Sequence, residues 1–412
     1  MKAWRTVGIV LLAILTAMVM VGVASLASSR IQVDDEQAVL DPFYTPPVPL
    51  PGGPGTVIRM EPLDVSVPGA SASRILYVSE RPDGSLAASG GMLFVPDSPA
   101  PPEGRPVVAW AHGTLGMGDA CVPSRSANPL QDTDNWLDQM MSFGWVVVST
   151  DYVGLGTPGP NQYLVAQAEV HDLVNAVRAA RNVPEAGAGT RYVTWGHSQG
   201  GHSSVWTGHL GADYAPELDL LGVAAAAPAL ELTDIMGAQW DEIAGWVIGP
   251  DVIESWPTYY PDLPVDEILS PAGQDNSARL ASECIKESGL EGLARQTLGQ
   301  DFFAADPLSE PAWAAAARDQ TPSPLPAAMP VFIAQGTADQ VVLPWPNAIV
   351  QEAWCAAGSS ISMLWLGGVS HTAAATTAGP QAVAWIADRF AGRLAPRSCD
   401  VPPPVPAEAP SP

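Results

Sequence analysis

Positive charge is scarce in this chain of 412 residues. Lys and Arg together number 18 against 43 Asp and Glu, which leaves a formal net charge of -25, and only Lys2 and Lys286 are lysines. Such an acidic surface repels the phosphates of nucleic acids and of anionic membranes. We therefore expect no nucleic-acid partner, and we interpret the acidity as a property that keeps the protein soluble.

Charged residues of either sign are also few. They make up 15% of the chain, whereas hydrophobic residues make up 47%. This composition excludes an intrinsically disordered chain. The length allows one large hydrophobic core or two modest ones.

The N-terminus has the organisation of an export signal. Lys2 and Arg5 precede an uncharged apolar run from Val7 to Leu26, and small residues follow it. A signal peptide usually has an apolar core of about 7–15 residues, and a bilayer span needs roughly 20. Residues 1–29 are therefore predicted to be a signal peptide or, alternatively, an uncleaved membrane anchor. Both place the rest of the chain outside the cytoplasm.

Cysteine is limited to four residues that lie far apart: Cys121, Cys284, Cys355 and Cys399. No two have the close spacing of a zinc site. An even number in an exported chain favours disulfide bonds, and three pairings are possible. We favour Cys121–Cys284 and Cys355–Cys399, because each would tie a loop or the C-terminal segment to nearby framework.

Proline dominates two terminal segments. Residues 30–55 contain the run 46–51 with four prolines, and the segment from residue 32 is predicted to be a surface arm with no regular helix or central strand. Residues 400–412 are similarly rich in proline and are predicted to be a disordered tail.

Between these termini, apolar strands alternate with helices. Strands at 57–60, 63–67, 73–79 and 90–95 are expected to form an antiparallel edge. Further strands are predicted at 106–111, 146–150, 191–193, 220–226, 330–334 and 361–366, and helices at 133–143, 162–181, after Ser198, at 347–356 and at 381–393. This order predicts an α/β fold: a mostly parallel sheet with helices on both faces.

One segment interrupts the alternation. Residues 228–324 are rich in Trp and Pro and contain no strong strand pattern. An insertion between two core strands at the edge where active sites form is typical of a cap or lid. We therefore predict an α/β core at 56–227 and 325–399 with a helical cap at 228–324. The alternative is a purely structural helical subdomain.

A nucleophile motif follows one of the predicted strands. Gly196-His197-Ser198-Gln199-Gly200 has the Gly-x-Ser-x-Gly pattern between a strand and a helix. In this turn the serine adopts a strained conformation that exposes its hydroxyl at the sheet edge, and both glycines avoid collisions with the neighbouring strand and helix. The pattern predicts Ser198 as a nucleophile.

A serine nucleophile needs a base and an acid that orients the base. Of six histidines, only His371 lies in a loop directly after the last apolar strand; the others are His112, His171, His197, His202 and His209. Asp339 follows the preceding strand and completes the chain order Ser, Asp, His. Asp151 also ends a strand, but it precedes the nucleophile, and we interpret it as structural.

The developing oxyanion requires two backbone N–H donors. The first is expected from Gln199, which follows the nucleophile. The second is expected from the loop after the strand at 106–111, where Thr114 is the first choice and Gly113 the next. His112 in the same loop is interpreted as a hydrogen-bonding brace.

The chain resembles the secretory lipase family of α/β-hydrolases, the group typified by the yeast lipase A. The resemblance rests on the turn 196–201 around Ser198, called the nucleophile elbow, and on the more specific stretch Asp151-Tyr-Val-Gly-Leu-Gly-Thr-Pro-Gly159. It rests also on the loop Gly336–Asp339 and on Ser370-His371, and it extends over residues 41–399. It implies the α/β-hydrolase fold, the disulfide pairing favoured above and a lid over an acyl-binding pocket.

These features predict an exported serine ester hydrolase that degrades lipids. Ser198, His371 and Asp339 would cleave acylglycerol-type esters through an acyl-enzyme, with no metal or organic cofactor and no obligate protein partner. The expected partners are a small ester or lipid substrate and, transiently, a lipid interface. The alternatives are a short-chain esterase, an acyltransferase that uses the same triad, and a hydrolase-like binding protein without activity.

Overall fold

The computed structural model of the protein describes residues 32–33, 35–133 and 135–409. The chain divides after Thr45 into two units. In the first unit, residues 35–44 form helix α1. The predicted signal or anchor lies outside the described residues. Within those ranges, no helix is long and apolar enough to cross a membrane.

The second unit is built on nine strands. They are β1 (Val57–Pro62), β2 (Ala70–Glu80), β3 (Leu86–Pro96), β4 (Arg105–Ala111), β5 (Val146–Thr150), β6 (Ala188–His197), β7 (Asp219–Ala226), β8 (Val331–Gly336) and β9 (Ile361–Leu366). They form one sheet in the order β1-β2-β3-β5-β4-β6-β7-β8-β9. Strands β1, β2 and β3 are antiparallel to their neighbours, and the six strands β4 to β9 are parallel to one another. The predicted mostly parallel α/β sheet is confirmed.

Twelve α-helices accompany this sheet in the described part of the second unit. They are α2 (Leu137–Ser142), α3 (Ala166–Arg181), α4 (Gln199–Tyr214), α5 (Leu232–Gln239), α6 (Ile243–Val247), α7 (Gly249–Ser255), α8 (Val265–Ile268), α9 (Pro271–Ala281), α10 (Ile285–Thr297), α11 (Pro311–Asp319), α12 (Pro344–Ala356) and α13 (Ala374–Phe390). Helices α5 to α11 all fall between β7 and β8. The inserted segment is therefore helical in the structure.

Successive side chains of each strand point to opposite faces of the sheet, and a separate hydrophobic core lies on each face. In β4, Val108 and Trp110 point to the face covered by α2 and α13, whereas Val107 and Ala109 point to the face covered by α3. Both faces of β4 are buried, which explains its continuous apolar run. The parallel strands β4 to β9 end at one edge of the sheet.

Several boundaries differ from those predicted. The expected strand at 63–67 is absent apart from a bridge between Val67 and Ala70, because the chain reverses at Gly69 with φ +70°. Helix α2 begins at Leu137 and not near residue 133, since Asn135 has φ +70°. Helix α3 begins at 166 and not at 162, since Leu164 has φ +52°.

Two further predictions were wrong. Residues 35–44 are helical although a helix was excluded from 32–55, because the prolines that break helices are concentrated at 46–51, after α1 has ended. Helix α13 starts seven residues before 381 and continues through Pro380. In the C-terminal tail, residues 401–409 have no regular secondary structure, and the Val401 carbonyl accepts a hydrogen bond from Gln351.

Both predicted disulfide bonds are present, joining Cys121 to Cys284 and Cys355 to Cys399. The first connects the loop after β4 with the start of α10 in the inserted segment. Backbone hydrogen bonds reinforce this junction, from Met117 N to the Ala281 carbonyl at 2.7 Å and from Ile285 N to the Leu115 carbonyl at 2.9 Å. The loop after β4 is therefore attached to the inserted segment both by a disulfide bond and by backbone hydrogen bonds.

Candidate active site

Ser198 stands in a strained turn between β6 and α4. Its backbone has φ +56° and ψ -117°, a combination that non-glycine residues rarely adopt. The turn is stabilised because the Ser198 N–H donates to the Ala226 carbonyl at 2.9 Å and the His202 N–H donates to the Ser198 carbonyl at 3.0 Å. The surrounding strand and helix therefore maintain the strained conformation that the motif predicts.

The two motif glycines leave no space for a side chain. A Cβ at Gly200 would lie 1.9 Å from the Ala111 carbonyl oxygen, and one at Gly196 would lie 2.0 Å from the Gly200 carbonyl oxygen. Real Cβ atoms do not approach backbone this closely, so β4, β6 and α4 would have to separate. The close contact brings the end of β4, and hence the loop that follows it, next to the serine.

Gly200→Ala is expected to prevent folding or to lower thermal stability severely, by more than about 3 kcal/mol, because overpacking against backbone cannot relax as a side-chain contact can. Soluble yield and thermal unfolding followed by circular dichroism would measure this. Gly289→Ala is the matched control, since a Cβ there meets nothing within 4 Å. Equal stability of the two variants would contradict the prediction.

Ser198, His371 and Asp339 form one hydrogen-bonded chain. His371 Nε2 lies 2.9 Å from Ser198 Oγ, and His371 Nδ1 lies 2.8 Å from Asp339 Oδ2. A carboxylate can only accept, so Nδ1 carries the proton and Nε2 is free to accept from the serine hydroxyl. The chosen residues thus meet although they lie on three separate loops.

The carboxylate of Asp339 is buried and firmly oriented. Its Oδ1 accepts hydrogen bonds from the backbone N–H groups of Val341 and Val342, each at 2.9 Å, and Oδ2 faces His371 and Gln335 Nε2. The two oxygens therefore have different partners. Only Oδ2 is available to the histidine.

Each of the other five histidines has a hydrogen-bond partner other than Ser198 or Asp339. The acceptors or partners are Gly113 O for His112, Glu80 O for His171, His371 O for His197, Glu169 for His202 and Ser323 O for His209. Burial lowers the pKa of His197 to about 3, and the charge of the neighbouring His371 is the second, smaller cause. His197 is therefore neutral at ordinary pH and supports the backbone of His371.

Asp151 is fully buried beneath the loop after β4. The backbone N–H and the hydroxyl of Ser124 both donate to its carboxylate. Burial raises the pKa of Asp151 above its ordinary value, while the Ser124 hydrogen bonds oppose this rise. Because it contacts none of the three residues Ser198, His371 and Asp339 in these bonds, its position agrees with a structural role.

The structure brings the three predicted oxyanion-hole residues to the serine. A Cβ at Gly113 would lie 3.2 Å from Ser198 Cβ, so the backbone of this loop passes directly beside the nucleophile. Thr114, Ser198 and Gln199 line the same cavity. Thr114 Oγ1 is also hydrogen-bonded to Tyr163 OH at 2.6 Å.

That cavity is a largely apolar space above Ser198. Helices α5, α6 and α7 of the inserted segment supply much of its wall. The apolar side chains include Leu232, Ile235, Met236, Ile248, Val252 and Trp256. A cavity with such an apolar wall suits a hydrophobic ligand, and Thr114 and Gln199 add polar groups to the wall beside Ser198.

Sequence reasoning missed two residues next to the site, Tyr163 and Glu169. Glu169 lies on α3, is almost fully buried, and its carboxylate binds the side chains of Gln199 and His202. The sequence does not distinguish Glu169 from the other polar residues of α3, such as Asp172 and Asn175; its burial in the structure shows that it needs partners. The identity of those partners depends on the packing of α3 against α4.

The chain resembles known proteins along most of its length. A family model described as "Secretory lipase" matches residues 127–397. A Mycobacterium tuberculosis protein named as a probable inactive lipase is 24% identical over 382 residues, which cover 86% of this chain and 82% of that protein. A secreted triacylglycerol lipase of Malassezia globosa is 25% identical over 399 residues, 88% of this chain and 81% of that one.

Solved structures share the architecture at low sequence identity. Candida antarctica lipase A in its closed state superimposes with a TM-score of 0.70 at 19% identity and covers 89% of each chain. A mutant of the rice cell wall degrading esterase from Xanthomonas oryzae superimposes with a TM-score of 0.68 at 18% identity, over 83% of this chain and all of that one. The fold is therefore that of the α/β-hydrolases. Together with the match to the family model, this shows that the chain belongs to the secretory lipase family.

Proposed function

We propose that the protein is an exported lipase that hydrolyses acylglycerol-type esters with Ser198, His371 and Asp339 as its catalytic residues. The continuous hydrogen-bonded chain from Asp339 through His371 to Ser198, beneath an apolar cavity, carries this proposal. The family supplies the reaction class. The geometry supports the assignment of residues to steps.

In the proposed reaction, Ser198 Oγ attacks the ester carbonyl while His371 Nε2 takes the serine proton. The N–H groups of Gln199 and of Thr114 or Gly113 stabilise the negative oxygen of the tetrahedral intermediate. Nε2 then donates its proton to the departing alcohol, which leaves an acyl-enzyme. Water, activated by the same histidine, releases the acid and restores Ser198.

The apolar cavity supports a long acyl chain as the preferred substrate group. Its wall comes largely from residues 228–324, and we propose that this segment is a cap over the acyl pocket. The chemistry at the serine is equally open to a short-chain esterase or, with an alcohol replacing water, to an acyltransferase. The inactive relative makes a binding protein without activity a further alternative, and the intact triad geometry argues against it.

The remaining boundaries belong to the same proposal. Residues 1–29 would direct export, residues 30–55 would form an arm that includes α1, and the core would comprise 56–227 and 325–399, followed by the tail 400–412. The two disulfide bonds fit an oxidising, extracytoplasmic location.

Hydrolysis of p-nitrophenyl esters from acetate to palmitate tests the proposal. We expect kcat/KM to rise with chain length, because each methylene buried in the cavity adds binding energy of about 0.8 kcal/mol until the cavity is filled. Ala244→Phe, which narrows the cavity, should reduce the rate on long esters and spare acetate. Ala312→Phe on the exposed face of α11 is the matched control.

The outcomes separate the alternatives. Activity limited to acetate and butyrate would indicate a short-chain esterase. Accumulation of a new ester when an alcohol is added would indicate an acyltransferase. Absence of both hydrolysis and fluorophosphonate labelling at Ser198 would indicate a non-catalytic protein and would refute the proposal.

A further inference from the structure

The carboxylate of Glu169 bonds to residues of the nucleophile elbow and of the helix that follows it, and each of its two oxygens has two hydrogen-bond partners. Its Oε1 accepts from Gln199 Nε2 at 2.8 Å and from the Leu164 N–H at 2.9 Å. Its Oε2 accepts from Ser203 Oγ at 2.8 Å and faces His202 Nδ1 at 3.0 Å. Three of these partners lie in the first turns of α4, directly after the nucleophile.

The same cluster reaches the inserted segment. His202 Nε2 lies 2.9 Å from the Gln320 carbonyl, so both ring nitrogens of His202 face oxygen atoms. Gln320 follows α11, and its Oε1 accepts from the Ala166 N–H at 2.7 Å. The start of α3, the start of α4 and the end of α11 therefore share one buried hydrogen-bond network.

The segment before Glu169 approaches the other side of the proposed oxyanion hole. Tyr163 OH is hydrogen-bonded to Thr114 Oγ1, and Leu164 adopts φ +52°, a left-handed conformation that is unusual for leucine. The bond from Leu164 N–H to Glu169 stabilises this conformation. One short stretch of chain thus holds a side chain from each of the two oxyanion-hole segments.

We propose that Glu169 is a positioning residue for the oxyanion hole. By holding the Gln199 side chain, it fixes the first turn of α4 and therefore the direction of the Gln199 N–H. This inference rests on the proposed function. It adds a role for a residue that never touches the substrate.

The effect arises because catalysis depends on the placement of donors in the transition state. A donor displaced by about 1 Å can cost on the order of 100-fold in rate. Ground-state binding of the ester depends mainly on the apolar cavity, which Glu169 does not line. Loss of Glu169 should therefore lower kcat and leave KM nearly unchanged.

Glu169→Met preserves the approximate size of the side chain and removes every acceptor. We expect kcat to fall about 10–100-fold with KM within about twofold. A boronic acid that mimics the tetrahedral intermediate should bind more weakly by the same factor. Glu169→Gln should restore most of kcat, because its amide oxygen can still accept from Gln199 Nε2.

Gln199→Met tests the other end of the bond and retains the backbone N–H. It should lower kcat by a similar factor, and the double variant with Glu169→Met should be no slower than the slower of the two single variants, since each substitution already removes the bond between Gln199 Nε2 and Glu169. Gln199→Met also keeps the test decisive if Glu169→Met does not fold.

Asp172→Leu is the matched control for stability. Asp172 is a buried acid one turn further along α3, bound to Ser79 Oγ and to the Val153 N–H but not to Gln199. It should lower thermal stability without lowering kcat. A kcat within twofold of wild type in Glu169→Met and Gln199→Met, or an equal loss in Asp172→Leu, would overturn the positioning role.

The wild-type enzyme and Ser198→Ala distinguish this result from a failure of the proposed function. If wild type does not hydrolyse esters, or if hydrolysis survives Ser198→Ala, the proposed function and this inference both fail. If wild type is active through Ser198 and Glu169→Met retains full kcat, only the positioning role fails.

Discussion

Ser198→Ala is expected to lower kcat for ester hydrolysis by a factor on the order of 10⁴–10⁶, as removal of a triad nucleophile does. The change deletes one atom, Oγ, whose hydrogen bond is to His371 Nε2. It leaves Gly196, Gly200 and the backbone hydrogen bonds of the elbow in place. The fold should therefore survive, and alanine at φ +56° carries about the same backbone strain as serine.

Initial rates on the best p-nitrophenyl ester, with circular dichroism and thermal unfolding on the same preparation, measure this effect. Ser204→Ala is the matched control: this serine lies on the same helix, but it bonds Thr194 and the Ala224 carbonyl and not His371. It should lower stability modestly and keep kcat. Appreciable turnover by a folded Ser198→Ala protein would exclude Ser198 as the nucleophile.

Asp339→Asn is expected to lower kcat by about 10⁴-fold, the effect of placing the triad histidine in the wrong tautomer. The neighbouring backbone N–H groups would force the side-chain amide of the asparagine into a single orientation. The N–H groups of Val341 and Val342 both require an acceptor at the position of Oδ1. The amide oxygen would occupy that position, and the NH₂ group would face His371 Nδ1.

An NH₂ group in that position donates to Nδ1, so the imidazole proton moves to Nε2. Nε2 could then no longer accept the proton of Ser198. Fluorophosphonate labelling and ester hydrolysis should therefore fall together, while thermal stability changes little because the variant is nearly isosteric. Asp172→Asn is the control, since that buried carboxyl has no contact with His371. A less than tenfold loss in Asp339→Asn would contradict the assigned orientation.

Local patterns were sufficient for the elements of the fold. Continuous apolar strands such as β4 and β5, separated by helical patterns, predicted the parallel sheet, because a strand covered on both faces needs no polar alternation. Two helices, α2 and α3, start later than predicted because a single residue before each changes the backbone direction. Asn135 and Leu164 have positive φ, which propensity does not reveal, and they delay the starts of α2 and α3.

The sequence by itself determined the chemical type of the site. Gly-x-Ser-x-Gly after a strand, with an aspartate and a histidine after later strands, was enough to choose Ser198, Asp339 and His371, since parallel strands end at a common edge. Only the tertiary structure decided how that site is supported. The bonds of Glu169 to Gln199 and of Tyr163 to Thr114, and the apolar wall from α5 to α7, join residues distant in the chain. Such contacts depend on how helices pack, and no local pattern encodes them.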